Sequence, residues 1–260
     1  MRLNDFIAVY EKCEPHVEPH VYTVGVVDAG SRDLRRPLDV SLGSAFAVSS
    51  LGHYLTAFHV ISKEYEQVRA GKRLLALKGF HRTGPEKAFG VQVLEVYKRS
   101  DIALLKGPPR QLGYISTASA PVRVGAWVAT VGYPLSYFDD ERGKVMIDKR
   151  FVSAMISAAF NNDGVRSVEL DKHLSHGHSG GPIITLEGVA IALTISNERG
   201  WDLVPERVKD GEEWTEKRRI FRLPVQFSKG TMLQNVGSRL GTHGVPIQTI
   251  APNMDEPDPP

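Results

Sequence analysis

From residue 21 to residue 224 the chain is a succession of short apolar runs cut by glycine and proline. Segments 21–27, 43–57, 74–80, 91–97, 102–106, 122–131, 146–159, 165–170, 182–186, 189–195 and 220–224 are apolar or alternating over strand lengths. The 43–57 stretch, G-S-A-F-A-V-S-S-L-G-H-Y-L-T-A, carries Gly52 at its centre and reads as a hairpin. Almost no helical periodicity interrupts the series, so the fold class is all-β, a barrel or a sandwich. Helical spacing is confined to the ends. Leu3, Phe6, Ile7 and Tyr10 predict a short amphipathic helix over 1–13, and Phe227, Met232, Leu233 and Val236 predict a C-terminal helix over 225–236. The two prolines in 15–20 predict an extended or loop segment, and G-P-P-R-Q-L-G at 107–113 predicts a boundary between two halves.

Three stretches carry reactive residue types. H-L-S-H-G-H-S-G-G-P-I-I at 173–184 sets Ser179 among Gly177, Gly180 and Gly181, where glycine permits positive φ or close backbone approach. A serine hydroxyl becomes a nucleophile only when a base takes its proton and N–H donors stabilise the oxyanion. G-H-Y-L-T-A-F-H-V-I delivers His59 just past an alternating segment, and Y-K-R-S-D-I-A-L-L-K sets Asp101 before an apolar run. Taken singly, each has a bland reading as a half-buried histidine, a turn aspartate or a glycine-rich loop. Together, in the order His, Asp, Ser, they follow one known chain order of the acyl-transfer triad.

These same stretches resemble the T-A-x-H, D-I-A-L-L and G-x-S-G-G-P segments of the trypsin-like (chymotrypsin-fold) serine proteases. V-R-V-G-A-W-V-A-T-V-G-Y-P at 122–134 and L-E-G-V-A-I-A-L after the serine resemble the HtrA-like branch. The resemblance covers residues 22–235. It implies two six-stranded antiparallel β-barrels with a short C-terminal helix. The implied division is an N-terminal extension (1–20), a barrel with His59 and Asp101 (21–112), a barrel with Ser179 (113–240) and a flexible tail (241–260). HtrA-like proteins often carry a PDZ domain after the protease unit, and none is expected here.

The resemblance also implies roles. Ser179 attacks a peptide carbonyl, His59 carries the proton, Asp101 orients the imidazole, and the N–H groups of Gly177 and Ser179 form the oxyanion hole. Substrate pairs as an extended strand with Ile195, Ser196 and Asn197. By position, His173, Leu174 and Thr194 surround the specificity pocket. No aspartate stands at the pocket base, so a preference for arginine or lysine is not expected. His178 departs from the aspartate of trypsin proper and the asparagine usual in HtrA-like enzymes. Activation by N-terminal cleavage is therefore not expected, and control by loop ordering is. The expected function is a serine endopeptidase; the alternative is a catalytically silent binding or scaffold module of the same fold.

Composition excludes other classes. Net charge is +2 from 32 basic and 30 acidic residues, so charge does not point to nucleic acid or to an anionic membrane surface. The pairs Arg35–Arg36 and Arg218–Arg219 lack interleaved aromatics. No apolar run approaches the ~18–20 residues that span a bilayer. Cys13 is the single cysteine, which forbids an intrachain disulfide, and with no apolar leader at the N-terminus a cytoplasmic location is expected. His173, His176 and His178 are close in sequence, but they lack H-E-x-x-H spacing and lie among glycines, so neither a metal nor a cofactor is expected. Residues 197–219, with Trp201 and Trp214, read as a charged surface loop, the candidate for a gating or partner contact.

Overall fold

The β-branched and aromatic residues of V-Y-T-V-G-V-V form strand β1 (Val21–Asp28), buried over all but its last residue. It opens a closed barrel in this computed structural model, which describes residues 15–30, 41–81, 84–85, 88–109, 113–119, 122–134, 137–139, 144–146, 149–210 and 213–249, with the backbone alone over 196–227. The barrel continues through β2 (Ser41–Ser49), β3 (His53–Ala57) and β4 (Arg73–Lys78). After a small ribbon, β5 (Phe80–His81) with β6 (Gly84–Pro85), come β7 (Phe89–Tyr97) and β8 (Ile102–Lys106). The order around the barrel is β1-β2-β3-β8-β7-β4, every neighbour antiparallel, with β4 closing on β1. Two short helices, α1 (Phe58–Ser62) and α2 (Tyr65–Arg69), lie between β3 and β4.

The second half begins with β9 (Thr117–Ser119) and β10 (Trp127–Gly132), and a second ribbon pairs β11 (Tyr137–Asp139) with β12 (Lys144–Met146). Then follow β13 (Arg150–Asn162), β14 (Val165–Leu170), β15 (Pro182–Ile184), β16 (Ala190–Asp210) and β17 (Glu213–Met232). The order β15-β10-β13-β14-β17-β16 closes through the pairing of β15 with β16, which makes a second six-stranded antiparallel barrel. The chain ends its described course in α3 (Gly237–Thr242) and β18 (Ile247–Thr249), and β18 pairs parallel with β9. This double barrel is the architecture expected from the sequence.

One apolar cluster fills the first barrel around Tyr22, Phe46 and Tyr54 and runs on through Val131, Tyr133 and Leu193 of the second. Tyr22 and Tyr54 meet edge-on at 5.5 Å, the offset geometry aromatic rings prefer. A separate cluster around Val128, Ile156, Val168 and Ile183 fills the second barrel. The barrels are also joined by polar contacts: Glu95 on β7 accepts hydrogen bonds from Tyr97 (2.8 Å), from Arg239 of α3 (3.2 Å) and from His243 (2.9 Å).

Four local expectations are corrected. Residues 225–232 are not helix: Gly230 disfavours one, and its bare Cα lies against Ile183 while Ser228 to Met232 pair with β14 or β16. A 3-10 turn (Leu233–Asn235) and α3 follow instead. Residues 197–210 and 213–219 are not an open loop; their backbone is the outer part of the β16–β17 hairpin, paired out to Asp210 opposite Glu213 with a register shift between Arg199 and Trp201. Residues 247–249 form strand β18 where a flexible tail was expected. The 15–20 segment is helical, with a 3-10 turn over Glu18–His20. The helix expected over 1–13, most of the 29–39 insertion and the 250–260 tail lie outside the described residues.

Candidate active site

His59 and Asp101 come from the rim of the first barrel. Strand β3 ends at Ala57 and turns into α1, while Asp101 sits one residue before β8, which pairs with β3. Asp101 adopts the left-handed conformation, φ 53° and ψ 41°. That conformation costs a non-glycine residue about 1–2 kcal/mol and is offset here by three hydrogen bonds. The Phe58 N–H donates to the Asp101 carbonyl (3.0 Å), the His59 N–H to Oδ1 (2.8 Å), and His59 Nδ1 to Oδ2 (2.6 Å). A carboxylate only accepts, so Nδ1 carries a proton, and in the neutral tautomer this selects, the lone pair is on Nε2. The imidazole is 43% exposed, open to a substrate.

Ser179 comes from the second barrel, on the irregular segment between β14 and β15. The His178 N–H donates to the Ser175 carbonyl (3.2 Å), closing a turn whose third residue, Gly177, has φ +96°. That positive φ is the signature of a type II turn and selects glycine. Gly180, also at positive φ (+85°), packs so closely on the Ser44 carbonyl, Thr56 Oγ1 and Ala57 N that a Cβ does not fit. Gly180 N donates to the Thr194 carbonyl (2.7 Å), and Thr194 N donates to the Gly181 carbonyl (2.9 Å). Among the described residues, no backbone carbonyl accepts from the N–H of Gly177 or of Ser179.

The first barrel grips this segment. Ser44 N donates to the Ser179 carbonyl (2.8 Å), and Ser44 Oγ donates to the Gly177 carbonyl (2.7 Å) while accepting from Tyr133 N (2.8 Å). A Cβ placed on Gly43 would lie 2.8 Å both from the Ser179 carbonyl oxygen and from a methyl of Val60. The loop bearing Ser179 thus abuts the helix bearing His59. Ser44, Thr56 and Gly43 were not singled out in the sequence; a hydroxyl on an apolar strand, in L-G-S-A-F, was the only signal.

The expected specificity residues separate. His173 is exposed. Leu174 is 1% exposed, packs in the second-barrel core and donates its N–H to Ser228 Oγ (2.9 Å). Thr194 is 2% exposed, its hydroxyl 3.3 Å from that of Thr130. Leu174 and Thr194 are therefore buried beneath the surface beside the site, and His173 is the exposed one of the three. Ile195 is half-buried against the shared core and is the extra residue of a bulge between Thr194 and Ser196, whose partners are Gly230 and Lys229. Asn197 pairs with Ser228. Beyond Leu193 the edge of β16 opposite β17 has no strand partner among the described residues. His173 and His176 are exposed while His178 is buried, and no group of three potential metal ligands is assembled among the described residues.

A family model for the trypsin-like peptidase domain matches residues 43–193. The chain is 28% identical over 154 residues to a probable periplasmic serine endoprotease, DegP-like, of Pseudomonas putida, which covers 59% of this chain and 28% of that protein. It is 26% identical over 160 residues to the mitochondrial serine protease HTRA2 of Drosophila erecta, covering 61% and 35% respectively. The chain thus spans roughly a third of the length of these curated relatives. Among solved structures, the HtrA-type protease AlgW with a decapeptide shares the fold, with TM-score 0.57 and 17% identity over 92% of this chain and 68% of that one.

Proposed function

Since this chain belongs to the trypsin-like peptidase family, we propose that it is a serine endopeptidase using Ser179 as nucleophile. The reading rests on one observation above all: the His59–Asp101 pair is packed beside the Ser179 loop by Gly43, Val60, Thr56 and Gly180. Ser179 Oγ attacks the scissile carbonyl carbon as its proton passes to His59 Nε2. Asp101 holds Nδ1–H and stabilises the imidazolium. The oxyanion is taken by the N–H groups of Gly177 and Ser179, each such donor worth about 2.7–4 kcal/mol. The imidazolium then protonates the leaving amine, and water, activated by the same histidine, releases the acyl group.

Substrate enters as an extended strand on the open edge of β16 at Ile195–Asn197. Main-chain pairing of this kind is indifferent to most side chains and suits unfolded polypeptide. His173, the exposed residue of the three expected at the pocket, meets the substrate side chain. The outer β16–β17 hairpin continues directly from the substrate strand and contacts a partner or gates the cleft. We further propose a cytoplasmic location, resting on the single cysteine; recovery in a periplasmic or organellar fraction overturns it. Incubation with an unfolded protein tests the main proposal. The wild type cleaves it and Ser179→Ala does not. A folded wild type that binds without cleaving points to the silent module instead.

A further inference from the structure

His178 is 2% exposed, and its Nε2 has no hydrogen-bond partner among the described residues. Nδ1 lies 3.2 Å from the Ser175 carbonyl, the oxygen that also accepts the His178 N–H. A carbonyl only accepts, so Nδ1 carries the proton and Nε2 is a bare, buried lone pair. The ring lies against Gly132, where a Cβ would come within 3.0 Å of Cδ2 and within 3.1 Å of Ser44 Oγ. The imidazole therefore holds together both ends of the turn that presents the Gly177 and Ser179 N–H groups. Histidine Nδ1 and the amide nitrogen of asparagine stand at the same distance along the side chain, so asparagine can make the same bond.

We propose that His178 is the positioning residue of the oxyanion turn, active only as the neutral Nδ1–H tautomer, so that protonating it unlocks the turn. This rests on the serine-peptidase reading above. An N–H at Nε2 would meet no acceptor among the described residues, in a site where an unmet polar group is costly. Arg150 on β13 is the charged side chain that acts on the ring, and it opposes a second positive charge. Tyr133, beside Gly132, has its hydroxyl committed to the Val21 carbonyl; Lys149 lies over the Tyr133 ring and is paired with Glu18. Burial pushes the His178 imidazole below its ordinary value; the Ser175 carbonyl opposes that and Arg150 adds to it.

The sign follows from linkage. With the folded value below the unfolded one, about 6.5, the unfolded chain binds a proton that the folded chain refuses. Stability is intact above about pH 6.5 and is lost as pH falls toward the folded value, by up to about tenfold in the folding equilibrium per pH unit. His178→Asn keeps the bond to Ser175 and cannot titrate.

Two measurements on the full chain test this. Proton uptake on unfolding, from denaturant midpoints between pH 7.5 and 5, should be greater in the wild type than in His178→Asn by up to one proton. At pH 8, His178→Ala should lower kcat at least about tenfold with KM little changed, the signature of a lost transition-state interaction, and His178→Asn should restore most of it. Equal proton uptake in wild type and His178→Asn, or an alanine variant with wild-type kcat, overturns the proposal. If no protein turns over, wild type included, the peptidase reading has failed; the uptake comparison still decides whether His178 is the buried neutral imidazole.

Discussion

The two barrels deliver their functional groups in different ways. In the first, His59 and Asp101 stand within two residues of the ends of β3 and β8, strands paired from Ala57 opposite Ile102 onward. Their separation is fixed by a ladder, and the carboxylate spans both the backbone and the ring of the histidine. In the second, Ser179 stands on the irregular segment between β14 and β15. Its carbonyl and that of Gly177 are held from across the cleft by Ser44, and Gly180 is held by Thr194. The proposed base is thus preorganised by local structure, and the proposed nucleophile by docking of one barrel on the other. A loop held through tertiary hydrogen bonds opens at lower free energy than a paired strand end, so the second-barrel side is expected to open first.

The largest effect expected is that of Ser179→Ala, a fall of about 10⁶ in turnover, read by single-turnover hydrolysis, with the thermal midpoint little changed. Asp101→Asn should cost about 10⁴ in kcat, because the wrong imidazole tautomer is then favoured; a loss under tenfold would show that the first-barrel pair is not the base. Ser44→Ala sharpens the comparison, because a first-barrel change should disturb the second-barrel turn. It removes the hydrogen bond to the Gly177 carbonyl, at about 1–3 kcal/mol for a buried unmet group. Its kcat should fall more than its KM rises, and amide exchange should quicken over 175–181 before it does around His59.

The smallest effect separates support from recognition beneath the pocket. Leu174→Ala should destabilise by about 2–5 kcal/mol, the cost of emptying a buried leucine site, and leave the cleavage-site profile intact. His173→Ala should leave the denaturant midpoint within error and shift the profile by a few-fold. The reverse pattern would restore Leu174 to the pocket wall.

Alternating apolar runs and glycine turns made an all-β fold legible, and the double barrel followed from the resemblance carried by T-A-F-H, S-D-I-A-L-L and G-H-S-G-G-P. Ser44 was not legible, since its importance comes from partners 133 residues away that no local pattern encodes. The 225–236 segment misled because Met232, Leu233 and Val236 fall at helical spacing, whereas Gly230 and pairing on both edges decide for strand over 228–232. Leu174 was placed near the pocket by resemblance alone; its packing in the second core comes from partners no local pattern encodes. The outer β16–β17 hairpin was hidden by charged residues typical of loops, although its strands stay paired far from the barrel.

The most direct test is covalent: react the folded chain with a fluorophosphonate and map the adduct by peptide mass. The account predicts one adduct, on Ser179, absent in Ser179→Ala and much slower to form in His59→Ala. A folded wild type that takes no label, or takes it on another residue at equal rate in all three proteins, would contradict it.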